Sequence, residues 1–117
     1  MGQAESCLFC RLAAGRIPSE TLYEDDRVKA FKDINPGAPV HFLVIPREHI
    51  ASVRDLAEHD ADLLGHIFDV INAQAKKVGL VPGGYRIVVN YGPDAGQSVP
   101  HLHFHVLGGR SLAWPPG

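Results

Sequence analysis

Three things are scarce in this sequence. Cysteine occurs only as Cys7 and Cys10, within one four-residue stretch. That excludes a disulfide scaffold and points to a reducing, cytoplasmic setting. Long apolar runs are missing, none approaching the roughly 20 residues that cross a bilayer. The start, Met1-Gly2-Gln3-Ala4-Glu5-Ser6, has neither the charged nor the apolar region of a secretory leader. Gly2 and Ser6 do match the myristoylation pattern, which is short and by itself holds no membrane. Basic clusters stop at Lys76-Lys77, and the formal charge is −2, from 11 basic and 13 acidic residues. A nucleic-acid polymer is therefore not the expected ligand. A single nucleotide is not excluded, because a few backbone N–H groups can hold one phosphate without a basic patch.

What is present suits one ordinary domain spanning residues 1–117, with 45% hydrophobic and 21% charged residues. Leu8 to Ala14 predicts a short helix ended by Gly15. Thr21 to Glu24 and Val28 to Asp33 predict two strands joined tightly as an antiparallel hairpin. Asn35 to Pro39 is loop by composition, and His41 to Ile45 is the strongest strand. A long helix is expected from about Glu58 to Val78, with Leu64, Ile67, Ile71, Ala75 and Val78 as its apolar stripe and Gly79 as its stop. Tyr85 to Asn90 and His101 to Leu107 complete the strands, separated by the polar segment Gly92 to Pro100. The fold class is α+β: a five-stranded antiparallel sheet, one long helix on one face, and a short N-terminal helix.

The chemistry concentrates in His101-Leu102-His103-Phe104-His105. Strand side chains alternate between faces, so the three imidazoles share one face while Leu102, Phe104 and Val106 pack beneath the long helix. The same parity puts His41, Leu43 and Ile45 with the histidines and Phe42 and Val44 with the core. Phe31, Asp33 and Asn90 can join the histidine face, giving the half-apolar, half-polar floor a small ligand needs. A solvated face that merely carries histidines is the bland alternative, and three in strict alternation weigh against it. One metal held by all three is the sharper rival. The Cα atoms of His101 and His105 would lie roughly 13 Å apart at strand rise, so separate roles fit the spacing better.

These residues resemble a known signature. His101-Leu102-His103-Phe104-His105-Val106-Leu107 is similar to the H-x-H-x-H motif and following hydrophobic pair of the histidine-triad (HIT) nucleotide-binding proteins. Tyr23 to Arg27, His41 to Pro46 with His49-Ile50, Gly96 to Val99 and the ending Trp114-Pro115-Pro116-Gly117 extend the likeness over nearly the whole chain, toward the Hint branch of purine nucleoside phosphoramidases. The resemblance implies a homodimer whose two sheets join into one of ten strands, and a purine nucleotide substrate such as an AMP or GMP derivative. It implies that His103 attacks the α-phosphorus, giving a nucleotidyl-histidine that water hydrolyses. Imidazole is largely neutral near pH 7 and needs no prior deprotonation. Ser98 and His105, backed by His41, match the positioning and proton-transfer groups. The backbone around Gly96, Gln97 and Ser98, with Asn90, would hold phosphate oxygens. Asp33 matches the ribose-binding carboxylate, and Phe9, Leu12, Ile17, Phe31, Ile34 and Leu43 the walls around the base. Leu12 and Ile17 read equally well as core. Trp114 matches a residue that reaches toward the partner's site.

Cys7-Leu8-Phe9-Cys10 is ambiguous by itself. A thioredoxin-type pair would want a βαβ setting, inert buried thiols need nothing further, and zinc needs two more ligands. In zinc-bearing relatives, as the resemblance implies, cysteines at these positions join histidines matching His49 and His101, and both are present. The expected role of such a Zn2+ is structural, tying the first helix to the sheet, with no organic cofactor. His59 and His66 have no inferable partners and are expected to face solvent. Pro100 stiffens the approach to the triad. The competing functions are a dinucleoside polyphosphate hydrolase, a metal-dependent hydrolase using the histidine row, and a non-catalytic nucleotide-binding scaffold.

Overall fold

The computed structural model describes residues 6–117, so Gly2 of the myristoylation pattern lies outside the described residues. Helix α1 (Leu8–Ala13) leads into strands β1 (Thr21–Glu24), β2 (Val28–Lys32) and β3 (Val40–Pro46). Two 3-10 turns precede the long helix α2 (Ala61–Lys77), and β4 (Tyr85–Val88) and β5 (Phe104–Gly108) follow. The strands form one sheet in the order β1-β2-β3-β5-β4, antiparallel throughout. Among the described residues no helix is long and apolar enough to cross a membrane.

Alternation along the strands divides the sheet into two faces. Val28, Ala30, Phe42, Val44, Phe104 and Val106 point to one face, where Ile67, Val70, Ile71 and Ala75 of α2 cover them. Burying each large side chain of this set contributes roughly 1.5–3 kcal/mol. Phe31, Leu43 and Ile45 point to the opposite face and pack with Cys7, Phe9, Leu12 and Ala13 on and beside α1. The short helix thus covers only part of its face, and the remainder is open to a ligand.

Chain termini of the elements differ from the expected ones for local reasons. Asp60 accepts the Ala57 N–H at 2.9 Å, holding Glu58–Asp60 as a separate 3-10 turn, so α2 starts at Ala61. The helix ends as the sequence indicates: Gly79 adopts φ 87°, and Gly79 and Leu80 N–H groups return to the Lys76 and Ala75 carbonyls. This pattern satisfies two terminal carbonyls and buries Leu80. Leu80 in turn explains Gly108, where a Cβ would meet Leu80 Cδ2 at 2.7 Å. Strand β4 stops at Val88, which leaves Asn90 beyond the ladder. Strand β5 starts only at Phe104, because Pro100 has no N–H and the His101 N–H turns back to the Val99 carbonyl at 2.8 Å. Side-chain parity survives this irregular entry. Leu102 belongs to the α2 core, anchored by its N–H to the Ile50 carbonyl, while His101 and His103 lie opposite.

Candidate active site

Backbone groups assign the protons of the histidine row. His103 Nδ1 lies 2.7 Å from the His101 carbonyl. A carbonyl only accepts, so Nδ1 carries the proton and Nε2 keeps its lone pair. The His103 side is buried against Phe9, ring edge to face at 5.0 Å, and against His105 at 5.0 Å. Behind them the Gly37 N–H donates to His41 Nδ1 at 2.9 Å, which places the His41 proton on Nε2. That Nε2–H faces His105 Nδ1 at 2.9 Å, so His105 carries its own proton on Nε2. The chain of bonds yields two neutral donors, His41 and His105, beside one imidazole with a free lone pair.

Burial keeps the two donors neutral. It pushes His105 down to about 4, assisted by the neighbouring His103 and His41 and opposed by Asp33. Burial also lowers His41, again opposed by Asp33, whose Oδ2 lies 3.4 Å from His41 Nε2.

The row opens on a cavity of about 770 Å³. Phe9, Leu12 and Ile17 form one wall, Phe31, Ile34 and Leu43 the other, so Leu12 and Ile17 serve both packing and pocket. Asp33, Ser98, His103 and His105 supply polar groups, and His41 stands behind His105. Leu8, Pro18, Ser19, Glu20 and Lys32 also line it and escaped the sequence reading. A smaller recess of about 280 Å³ lies behind Asp33 and His41, on the side of Val78, and does not reach His103.

Four expected binding residues sit elsewhere. Asn90 is beyond β4 and does not line the cavity. Gly96 and Gln97 do not line it either: their N–H groups are engaged by the Pro93 and Gly92 carbonyls. The Gln97 side chain accepts the Gly92 N–H and donates to the Ala51 and Val99 carbonyls. Gln97 thus acts as a strut that shapes the loop presenting Ser98. Trp114 is 79% exposed and stacks on Arg86 of β4, outside this cavity.

The second expected cluster is assembled. Cys7, Cys10, His49 and His101 bring one ligand atom each within 4.8 Å of one another. Sulfur-to-nitrogen separations are 3.2 Å for Cys10–His49, 3.3 Å for Cys7–His101 and 3.5 Å for Cys10–His101. Bonds of 2.3 Å to sulfur and about 2.05 Å to nitrogen at a tetrahedral angle require about 3.6 Å. His101 Nε2 donates to the Pro46 carbonyl at 2.9 Å, which turns an unprotonated Nδ1 toward both sulfurs. Donor set, spacing and tautomer all fit zinc. Asp33, His41 and His105 also cluster, but the proton that Gly37 fixes on His41 Nε2 occupies the face a metal would need.

Helix α1 is tied at its other end by groups the sequence did not reveal. Buried Lys29 donates to the Leu12 carbonyl at 2.9 Å, and Arg47 donates to the Ala13 carbonyl. Contrary to the solvent-facing expectation, His66 on α2 pairs with Asp25 at 2.6 Å. Burial alone would raise the Asp25 carboxyl, but bonds from Arg27, Tyr23, Val28 and His66 hold it well below the usual range. His59, as expected, is exposed.

A five-stranded antiparallel sheet with one long helix, and a histidine with a directed lone pair in a cavity on the other face, define the class. Residues 6–113 match the family model described as scavenger mRNA decapping enzyme C-terminal binding. An uncharacterised HIT-like protein of Synechococcus elongatus is 51% identical over 115 residues, covering 97% of this chain and 99% of that one. The crystal structure of a HIT family hydrolase from Legionella pneumophila superposes with TM-score 0.94 at 46% identity, over 96% of this chain and all of that one. A histidine triad protein from Clostridium difficile gives TM-score 0.88 at 48% identity, over 92% and 93% of the two chains. The chain belongs to the HIT family.

Proposed function

We propose that the chain hydrolyses purine nucleoside 5′-phosphoramidates through a nucleotidyl intermediate on His103. The carrying observation is the 2.7 Å bond from His103 Nδ1–H to the His101 carbonyl, which leaves Nε2 as nucleophile at the cavity. The hydrolase and nucleotide-binding proteins among its relatives support the reading.

In this mechanism Nε2 of His103 forms a bond to the α-phosphorus as the phosphorus–nitrogen bond breaks. The departing amine takes a proton from solvent, relayed by the Ser98 hydroxyl, while the neutral His105 keeps its Nε2 proton and hydrogen-bonds a phosphate oxygen. His41 cannot release its Nε2 proton while Nδ1 accepts from Gly37, so it fixes the His105 tautomer. Water then attacks phosphorus and loses a proton to solvent as the phosphorus–Nε2 bond breaks, restoring the His103 lone pair. Asp33 receives the ribose hydroxyls, and the apolar walls hold the base. Zinc, held by Cys7, Cys10, His49 and His101, would be structural and would supply no chemistry at phosphorus. Two such chains form a homodimer by joining sheets at the open β4 edge, where Trp114 lies on Arg86, in a cytoplasmic setting suited to free thiols.

The test is turnover of an adenosine phosphoramidate by wild type, His103→Ala and His103→Asn. Loss of turnover with retained AMP binding is expected. Equal rates would remove His103 from the chemistry, and loss only on chelation would favour metal-dependent hydrolysis.

A further inference from the structure

The bond between His41 and His105 has a direction, and that direction is set in the loop before β3. The Gly37 N–H donates to His41 Nδ1, His41 Nε2–H donates to His105 Nδ1, and His105 is left with its proton on Nε2. Without the Gly37 donor, His41 Nδ1 is free to carry the proton, and His41 Nε2 then accepts from His105 instead. His105 Nε2 would become a lone pair, which repels a phosphate oxygen where a proton would bond it. Asp33 Oδ2, 3.4 Å from His41 Nε2, favours the original arrangement but lies beyond good hydrogen-bond distance. The polarity of the row therefore depends on where the Gly37 peptide sits.

That peptide lies in an exposed stretch, and Pro36 and Pro39 beside it carry no N–H with which to brace it. The chain after β5 holds it instead. Val40 pairs with Gly108, which brings the end of β5 against the loop. Gly109 then turns at φ 93°, and its backbone lies directly on the loop: a Cβ there would meet Pro39 Cβ at 3.0 Å and the Val40 nitrogen at 3.4 Å. Beyond this turn Arg110 Nη2 donates to the Gly37 carbonyl at 3.2 Å, while Nη1 donates to the Ser111 carbonyl at 2.9 Å. The planar guanidinium thus bridges the C-terminal segment and the residue whose N–H orients His41.

We propose that Arg110 is a positioning residue: by holding the Gly37 carbonyl it keeps the Gly37 N–H on His41, and so keeps the His105 proton on Nε2, facing phosphate. The catalytic consequence rests on the phosphoramidase reading above; the effect on the imidazoles does not. The bond is exposed, so its loss changes kcat by about fivefold, the scale of one net hydrogen bond.

Nitrogen NMR of the His41 and His105 rings reports their tautomers directly. It is recorded for wild type, Arg110→Met and Arg110→Lys, beside kcat for an adenosine phosphoramidate and Kd for adenosine. Wild type is expected to hold both rings as Nε2–H tautomers. In Arg110→Met both rings move toward a mixture with Nδ1–H and kcat falls about fivefold. Adenosine, which offers His105 no phosphate, binds as before, and Arg110→Lys, which keeps a donor, recovers most of the loss. A His41 proton on Nδ1 in wild type, ring signals unmoved in Arg110→Met, or a shift that leaves kcat unchanged overturns the inference and leaves the phosphoramidase reading intact. So does Arg110→Lys behaving like Arg110→Met, or adenosine binding that weakens in step with kcat, since the loop would then be collapsing as a whole. Shifted tautomers with no turnover of the phosphoramidate by wild type overturn the phosphoramidase reading and leave Arg110 as the group that orients both rings.

Discussion

The two faces of the sheet are built from the same strands and do opposite work. Under α2, Ile67, Ile71, Ala75, Val44 and Val106 are fully excluded from solvent, and polar side chains are few. On the α1 face a six-residue helix covers only one end. There, His101 and His103 are buried beside Phe9, Lys29 is buried against a helix carbonyl, and an open cavity remains. Stability is concentrated on the closed face, and on the open face His101, His103 and Lys29 are each held by a backbone carbonyl. A buried polar group without a partner costs free energy, so these bonds permit the site to exist.

The two faces should therefore break separately. The largest effect is expected from His103→Asn, which removes the proposed nucleophile and lowers kcat by about a thousandfold or more, on the order of known nucleophile deletions, while the thermal midpoint moves little. The converse is Ile71→Ala beneath α2, expected to cost about 2–5 kcal/mol in denaturant unfolding and to leave kcat per folded molecule unchanged. Activity loss in the folded fraction of that variant would show that the faces are coupled.

Metal removal comes next. If zinc ties α1 to the sheet, chelation or Cys10→Ser lowers the thermal midpoint by about 10 °C, and one metal per chain is lost by elemental analysis. An unchanged midpoint and no bound metal would leave the four residues as thiols and imidazoles in contact. The smallest effect is the pH dependence of stability. His41 and His105 have lowered pKa values in the folded chain, His105 at about 4 against an ordinary 6.5. Between those limits the unfolded chain binds protons that the folded chain refuses, so stability falls as pH drops from about 6.5 toward 4. Denaturant midpoints should show that slope, and His105→Asn should flatten it.

Much of this comparison was legible in the sequence because it rests on alternation. His41-Phe42-Leu43-Val44-Ile45 and Leu102-His103-Phe104-His105-Val106 each assign their faces with no knowledge of the rest, and the structure keeps that assignment. The Cys7, Cys10, His49 and His101 cluster was legible only through resemblance, since it joins residues as far as 94 apart. What stayed hidden is long-range side-chain pairing. Nothing local tells His66 to find Asp25, or Lys29 and Arg47 to find the end of α1. A further role of Gln97 stayed hidden for a related reason: its amide braces the Ala51 carbonyl, 46 residues away in sequence.

The most direct test of the account is to mix the protein with a purine nucleoside phosphoramidate, quench without acid, and locate the adduct by mass spectrometry of peptides. A nucleoside monophosphate covalently bound to His103, absent in His103→Asn, is the predicted result. Steady turnover with no adduct on His103 at any time point would contradict it.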